Sequence, residues 1–300
     1  MTDQQPMPET GLDQILGFTI PDRDCRGRVV RLGPVLDQIL AAHSYPPRIK
    51  QVLAEALVLA TLMGGLLKDR DDQLTIQAQG QGGVISLLVC DYRDGELRGY
   101  LQHDPAEFDT LGANPTLADM FGEGYMAITF DIAASEQRYQ GVVALQGLSL
   151  TEVIESYFAQ SEQVPTLIRT AVKTGAGGNV AGGMLVQHLP DGEDGRERLH
   201  VRFDEPHWQH VSVLGASLKP SEIVEQALSL EQLVWRLYHE EPEIRVVPGA
   251  RISRGCRCTL VHFEEVLSRF PKSERREMAD ENGVIMVDCE FCSRQFPVQD

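Results

Sequence analysis

The chain has 300 residues, of which 42% are apolar and 24% are charged, and its 27 basic and 44 acidic side chains leave a net charge of −17. This composition is typical of a globular protein large enough for two domains, and it excludes disordered, collagen-like and fibrous chains. The negative charge opposes binding to nucleic acid or to an anionic membrane surface, so we expect neither partner.

The apolar runs and the N-terminus predict neither a membrane helix nor a secretory signal. The longest charge-free apolar run, residues 56–67, has 12 residues, whereas a membrane-spanning helix needs about 20. Residues 1–6 are polar and lack the basic start and apolar centre of a secretory signal. We therefore expect a cytoplasmic protein, whose cysteines bind metal or undergo redox chemistry rather than form structural disulfides.

Two helices begin the series of predicted elements. Apolar residues recur at helical spacing over residues 32–43, and again after residue 47 in a stripe that widens toward residue 67. From residue 74 the apolar period changes to two, which predicts strands. We predict strands over residues 74–79, 84–90, 96–101, 125–130, 139–145, 164–172 and 183–188, and a helix over residues 149–158 capped by Ser149 or Thr151. Strands grouped between helices predict an α+β fold with an N-terminal core of mainly antiparallel sheet and packed helices.

The composition changes near residue 190, where the acidic stretch 191–195 predicts a solvated loop and a domain boundary. Weakly amphipathic helices are predicted to follow, over residues 208–214, 220–227 and 230–238. None has a broad apolar face, so such helices gain order only by docking on a neighbour. We interpret residues 1–190 as a core domain, 191–250 as an acidic, metastable helical linker, and 251–300 as a small C-terminal domain.

Four of the six cysteines lie in the last 45 residues, as Cys256-Arg257-Cys258 and, after thirty residues, Cys289-Glu290-Phe291-Cys292. Zinc prefers thiolate ligands in a tetrahedron, and two cysteine pairs on separate loops supply them. In this domain we predict helices over residues 260–270 and 273–280 and a strand over residues 284–287. Because so short a domain cannot bury a sufficient core, a bound metal would stabilise it. We predict one Zn²⁺ per chain, held by Cys256, Cys258, Cys289 and Cys292.

Three uses of such a centre follow different chemistry. A nucleic-acid-binding zinc ribbon should be basic, yet residues 246–300 carry 8 basic and 9 acidic side chains. The basic residues Arg251, Arg254, Arg257, Lys272, Arg275 and Arg276 are expected instead to offset the net negative charge of zinc with four thiolates. A thiol oxidoreductase using the Cys289–Cys292 motif remains a second alternative. In a redox switch, oxidants attack the thiolates, the ligand set is lost and the metal-dependent tail unfolds.

The remaining candidate residues indicate structural roles. Cys90 ends an apolar strand and is predicted to be a core residue, whereas Cys25, in the charged stretch 22–26, is predicted to lie in an exposed loop. The glycine-rich stretches 79–83, 122–124 and 175–179 are predicted to be turns, not phosphate loops. With four cysteines available, His207, His210 and His262 are surplus as metal ligands. The chain has no serine nucleophile elbow and no defensible carboxylate pair, so we expect a protein that is not an enzyme.

The cysteine pattern resembles that of the redox-regulated heat-shock chaperone family, the 33 kDa chaperonins. The segments at residues 139–143, 161–166, 181–185 and 235–241 also resemble that family, in the same order. The resemblance extends from about Leu36 to Phe296, nearly the whole chain.

The resemblance implies an ATP-independent holdase that is inactive when reduced and zinc-bound. On oxidation, Cys256–Cys258 and Cys289–Cys292 would form disulfides, zinc would leave, and the tail and linker would unfold. The protein would then dimerise, bind unfolding client proteins and later pass them to an ATP-driven chaperone system. The apolar residues that the linker would shield or expose are expected to include Trp208, Val211, Leu214, Leu233, Val234 and Leu237.

Overall fold

The computed structural model describes residues 11–175, 177–189 and 205–299. Their strands are β1 (Gln14–Ile20), β2 (Cys25–Leu32), β3 (Gln73–Gly82), β4 (Ile85–Arg93), β5 (Glu96–His103), β6 (Gly122–Ile132), β7 (Gln137–Ala144), β8 (Thr166–Lys173), β9 (Val180–His188), β10 (Arg245–Arg251), β11 (Ser253–Arg254), β12 (Val284–Asp288) and β13 (Gln295–Gln299). Their helices are α1 (Pro34–Leu40), α2 (Pro47–Gly64), α3 (Pro105–Thr110), α4 (Leu117–Phe121), α5 (Leu150–Tyr157), α6 (Pro206–Ala216), α7 (Pro220–Ile223), α8 (Leu230–Tyr238), α9 (Leu260–Ser268) and α10 (Lys272–Met278). The α+β prediction is confirmed.

The first sheet is antiparallel, with strand order β10-β1-β2-β9-β8. Its N-terminal hairpin, β1 and β2, was not predicted from the sequence. Cys25 begins β2 and is 2% exposed, so the prediction of an exposed loop at this residue is wrong. The charged residues that precede Cys25 lie in a tight turn over residues 21–24, and β2 begins at Cys25 itself.

The second sheet has the order β11-β5-β4-β3-β6-β7 and is antiparallel except for the short parallel pair β11–β5. Most of two glycine-rich stretches is strand rather than turn, which corrects the prediction: residues 79–82 lie in β3 and residues 122–124 in β6, whereas Gly83 lies in the turn before β4. Gly80 pairs with Gly124 across β3 and β6, and a Cβ on Gly80 would collide with carbonyl oxygens of Phe121 and Ile85. These glycines therefore permit close backbone approach. Of the third stretch, residue 176 lies outside the described residues and the others join β8 to β9.

Helix α2 lies between the two sheets and forms the centre of the main core. It packs on β2, β8 and β9 of the first sheet and on β3, β4 and β5 of the second. Its apolar residues from Ala56 to Met63 are buried, as expected of a helix covered on all sides. Among the residues that the structure describes, no helix combines the length and the apolar character needed to cross a membrane.

Helices α6 and α8 and the short α7 pack on the other face of the first sheet. Of the six apolar residues expected on the linker, Trp208, Val211, Leu233 and Val234 are buried there, and Leu214 and Leu237 pack against the same cluster. The helix predicted over residues 220–227 already ends at Ile223. Residues 245–251, at the predicted boundary between the linker and the C-terminal domain, form β10, which pairs with β1 and was not predicted. The predicted loop and boundary at 190–195 lie outside the described residues.

The C-terminal unit consists of α9, α10 and the hairpin β12–β13. The two helices and the first strand agree with the predicted segments, whereas β13 was not foreseen. Its own apolar core is small, with Leu267, Ile285 and Val298 buried and Phe263, Ala279 and Val287 packed against them. This core is far smaller than either cluster of the two-sheet domain.

Candidate metal centre

The first cysteine pair lies between β11 and α9. The Gly255 N–H donates to the Leu97 carbonyl of β5 at 3.0 Å, so the residue just before Cys256 is held against the second sheet. Beyond the pair, the Thr259 hydroxyl caps α9 by accepting the His262 N–H at 3.2 Å. Cys256 and Cys258 are thus fixed from both sides, and an extended spacing of two directs both sulfurs the same way.

The second pair occupies the tight turn between β12 and β13. The N–H groups of Cys292 and Ser293 donate to the Cys289 carbonyl at 3.1 and 2.8 Å, and the Cys289 N–H donates to the Arg294 carbonyl at 2.9 Å. Ser293 takes a positive φ of 54°, which closes the turn. The turn brings Cys289 and Cys292 to one side of the hairpin, facing the first pair.

The structure brings the four cysteines of the predicted site together. Their Sγ atoms all lie within 4.8 Å of one another, with 3.2 Å between Cys256 and Cys258, 3.6 Å between Cys256 and Cys289, and 3.4 Å between Cys258 and Cys292. Four sulfurs at about 2.3 Å from a tetrahedral zinc would be about 3.8 Å apart. All four are free thiols, so the donor set and its spacing fit a four-thiolate zinc site.

The electrostatics of the cluster also favour a cation. Burial raises the pKa of Cys256, but the Cys258 backbone N–H and the neighbouring thiols lower it to about 7 overall. Burial and the adjacent Cys256 thiolate raise the pKa values of Cys258 and Cys289. The Cys256 thiolate is therefore tolerated near neutral pH, whereas Cys258 and Cys289 need a positive charge among the sulfurs to ionise.

Arg257, between the first two cysteines, supplies positive charge beside the site. Its Nη1 donates to Gln73 Oε1 at 2.6 Å. Its Nε and Nη2 are buried, and among the residues that the structure describes they have no hydrogen-bond partner. Arg257 is one of the six basic residues expected to offset the charge of the site, and it lines a cavity together with Cys258 and Cys289. A guanidinium here favours a centre with net negative charge.

The other sequence candidates lie elsewhere. Cys90 is fully buried in the main core, as predicted, and Cys25 is buried against the linker helices. Burial raises the pKa of both thiols, that of Cys25 to about 12. Nε2 of His210 lies 2.7 Å from a carboxylate oxygen of Glu241. Within the described ranges, the metal-ligand group around the four sulfurs includes no histidine, and His207 and His262 stay outside it.

Sequence reasoning missed the residues that seat the cysteine loops on the core. Ser293 Oγ donates to the Ala42 carbonyl at 2.7 Å, and the His43 ring donates to the Glu290 carbonyl at 2.7 Å. The ring of Phe291 packs against Tyr100 and Arg98 of β5. A large aromatic residue inside a Cys-x-x-Cys turn is the sequence signal that could have indicated such a contact.

The fold and the site define a class of protein: an α+β core of two antiparallel sheets, joined to a small unit that carries a four-cysteine cluster. The model of the Hsp33 protein family matches residues 13–299. The chain belongs to the Hsp33 family.

Relatives support this assignment over nearly the full length. The chain is 36% identical over 296 residues to the 33 kDa chaperonin of Caulobacter vibrioides (strain NA1000 / CB15N), covering 96% of this chain and 95% of the relative. It is 34% identical over 287 residues to that of Yersinia pestis (strain Pestoides F), covering 95% and 91%. The crystal structure of the 33 kDa chaperonin of Thermotoga maritima has the same fold, with a TM-score of 0.78, 21% identity and coverage of 96% and 95%. Family membership supports a chaperone function.

Proposed function

We propose that the protein is a redox-regulated, ATP-independent holdase of the cytoplasm, which binds unfolding proteins under oxidative and heat stress. The observation that carries the proposal is the cluster of four free thiols within 4.8 Å, in a unit that contacts the core through its cysteine loops. The reduced, zinc-bound form is the inactive one. The proposed divisions are the chaperone core (1–190), the linker (191–250) and the redox-switch unit (251–300).

Cys256, Cys258, Cys289 and Cys292 would hold one Zn²⁺ in the reduced state. The metal would hold all four sulfurs as thiolates, which Cys258 and Cys289, with their raised pKa values, do not become alone. The C-terminal unit needs this support because its apolar core is small: in the described part of the unit, the buried cluster consists of Leu267, Ile285 and Val298. Its folding is therefore coupled to the state of its cysteines.

Oxidation removes the ligands in pairs. A thiolate attacks peroxide and becomes a sulfenic acid with release of hydroxide, and the neighbouring thiol then displaces water to form the disulfide. We propose the pairs Cys256–Cys258 and Cys289–Cys292, from their sequence spacing and the family resemblance. Since Cys256 also lies 3.6 Å from Cys289, proximity alone does not select the pairs. Either disulfide leaves two thiolates, too few for a closed tetrahedral shell.

Unfolding of the C-terminal unit would destabilise the linker through β10. This strand pairs with β1 and continues, through β11, into the first cysteine pair. Helices α6 and α8 cover an apolar face of the first sheet that includes Phe18, Val29 and Met184. Release of the helices would expose this face to unfolded clients.

The partners we propose are unfolding client proteins, a second copy of the chain on activation, and an ATP-driven chaperone system that receives the clients. The net charge of −17 would keep holdase–client complexes soluble and disfavours nucleic acid and anionic membranes as partners. Binding without turnover is expected, since the role needs no catalytic residue.

Aggregation of thermally unfolding citrate synthase, followed by light scattering, tests the proposal with reduced and peroxide-treated protein. Suppression by the oxidised form alone is the expected result. Salt-dependent oligonucleotide binding that is insensitive to peroxide would instead indicate a zinc ribbon. Catalytic turnover of dithiols would indicate an oxidoreductase, although the Cys289–Cys292 motif follows a strand rather than beginning a helix.

A further inference from the structure

The contact between the second cysteine pair and the core centres on one aromatic ring. The ring centroid of Phe291 lies 4.8 Å from that of Tyr100, at an interplanar angle of 82°. The guanidinium carbon of Arg98 lies 4.0 Å from the centre of the same ring. Edge-to-face and cation–π geometries are both attractive. Arg98 and Tyr100 are two residues apart on β5, so their side chains lie on the same face of the strand. We call these two residues the β5 seat.

Phe291 is not needed by the C-terminal unit for its own core. That core consists of Leu267, Ile285 and Val298, with three partly buried neighbours, and Phe291 is not among them. The turn between Cys289 and Cys292 presents the ring to β5 instead. Phe291 lies outside the core of its own unit and is held by another part of the chain. It therefore behaves as a ligand bound in cis.

The β5 seat is organised by the core rather than by Phe291. Asp91 Oδ2 accepts hydrogen bonds from Nε and Nη2 of Arg98, at 2.8 and 2.6 Å. Asp91 is buried, and its other oxygen accepts the Thr75 hydroxyl at 2.7 Å. All these partners lie on β3, β4 and β5. The guanidinium therefore keeps its orientation when the C-terminal unit departs.

The seat also has room for more than a phenylalanine. Beside Phe291 lies a cavity of about 460 Å³, lined by Arg98, Tyr100, Phe263 and His262 among others. When the C-terminal unit leaves, its side of the cavity opens to solvent. The remaining surface is a guanidinium and a phenol ring at the spacing that holds one aromatic side chain.

We propose that the β5 seat binds an exposed aromatic side chain of an unfolded polypeptide, and that Phe291 occupies it in cis while the C-terminal unit is folded. Unfolded chains expose the phenylalanine, tyrosine and tryptophan residues that folded proteins bury. Because Phe291 stands between Cys289 and Cys292, any rearrangement of that turn withdraws the ring. The inference rests on the proposed function for the identity of the client, but not for the existence of the seat.

A short peptide tests the seat directly. The probe is residues 288–294 of this chain, labelled with fluorescein and carrying serine at both cysteine positions, and fluorescence anisotropy reports its binding to full-length, reduced, zinc-loaded protein. We expect Phe291→Ala protein to bind at least tenfold more tightly than the wild type, because its seat is vacant. Zinc content identifies variants whose cysteine cluster is intact, and peroxide-treated wild type, with the seat vacated by oxidation, provides a second receptor.

Matched variants distinguish binding at the β5 seat from non-specific binding to exposed apolar surface. Adding Tyr100→Ser to Phe291→Ala should abolish the gain. Tyr139→Ser is the control, since Tyr139 is 56% exposed on β7, which three strands separate from β5. Equal affinity of wild type and Phe291→Ala, or a gain that survives Tyr100→Ser, overturns the seat, whether or not the oxidised protein protects clients.

Unfolded, reduced α-lactalbumin then tests the client assignment as a competitor. Displacement of the peptide supports the assignment. A peptide that binds as expected but is not displaced overturns it and leaves the seat in place. If the oxidised wild type does not suppress aggregation at all, the proposed function falls, and the peptide measurement still decides the seat.

Discussion

Glu241, beyond the end of α8, accepts a hydrogen bond of 2.8 Å from Nε of Arg23, which lies 218 positions earlier in the turn between β1 and β2. Its other carboxylate oxygen lies 2.7 Å from Nε2 of His210 in α6. The Glu241 side chain is only 2% exposed. One carboxylate therefore joins two linker helices to the turn between β1 and β2 of the first sheet.

Glu241→Gln should loosen the linker without touching the cysteines. Loss of charge-assisted hydrogen bonds at a buried carboxylate costs about 1.5–3 kcal/mol. We expect faster amide hydrogen exchange in α6 and α8, and holdase activation at a lower temperature or oxidant dose. Glu243→Gln is the control, since Glu243 pairs with the exposed Arg245 two residues away. Equal exchange in both variants would show that Glu241 does not hold the helices.

Acid should weaken the same attachment. Burial raises the pKa of Glu241, but the hydrogen bonds from Arg23 and His210 outweigh it and hold the pKa below its ordinary value of 4.5. A depressed folded-state pKa contributes stability that is complete above the unfolded value and is lost as pH falls through the folded value. Thermal unfolding of the linker, followed by hydrogen exchange, should therefore lose stability below about pH 4.5. In Glu241→Gln this part of the pH dependence should disappear; its persistence would assign it to other groups.

Removal of metal under reducing conditions should unfold the C-terminal unit and spare the two-sheet core. Among the described residues, the buried apolar cluster of the unit has three members, whereas α2 alone buries more in the main core. Hydrogen exchange after chelation should lose protection in β12 and β13 and retain it in α2. Cys289→Ser should mimic the chelator. Cys90→Ala, at a buried core position, should lower overall stability by about 1–2 kcal/mol and still bind zinc. Retained protection in β12 after chelation would contradict the metal dependence.

The paired glycines of the second sheet should be intolerant of side chains. A Cβ on Gly80 would collide with two backbone carbonyls, of Phe121 and Ile85, which cannot move without breaking strand pairs. Gly80→Ala should destabilise the core by about 1–3 kcal/mol, measured by urea unfolding. Gly112→Ala is the matched control, because a Cβ there meets nothing within 4 Å. Equal midpoints for the two variants would show that the strands can separate at this point.

The cysteine spacing and the apolar periods were sufficient to predict the α+β class, α2 and the four thiols that converge. They could not predict the N-terminal hairpin, because β2 is covered on both faces and carries a fully buried charge, Arg31. Its guanidinium donates to the Ile223 and Leu228 carbonyls, at 2.8 and 2.7 Å. The carbonyls that stabilise this charge lie almost two hundred residues away in the sequence. The local hydropathy pattern therefore could not predict a buried arginine in this strand. The Phe291 seat was missed for the same reason.

In the proposed switch, oxidation of the four cysteines, loss of the metal and client binding occur together. The most direct measurement is zinc content, free thiols and client aggregation in the same samples, before and after peroxide at elevated temperature. Of the six thiols, we expect the four of the cluster to be lost, and Cys25 and Cys90, buried and with raised pKa values, to remain. Release of one zinc per chain should coincide with suppressed aggregation. Zinc that stays bound, or that leaves without any gain in client protection, would contradict the account.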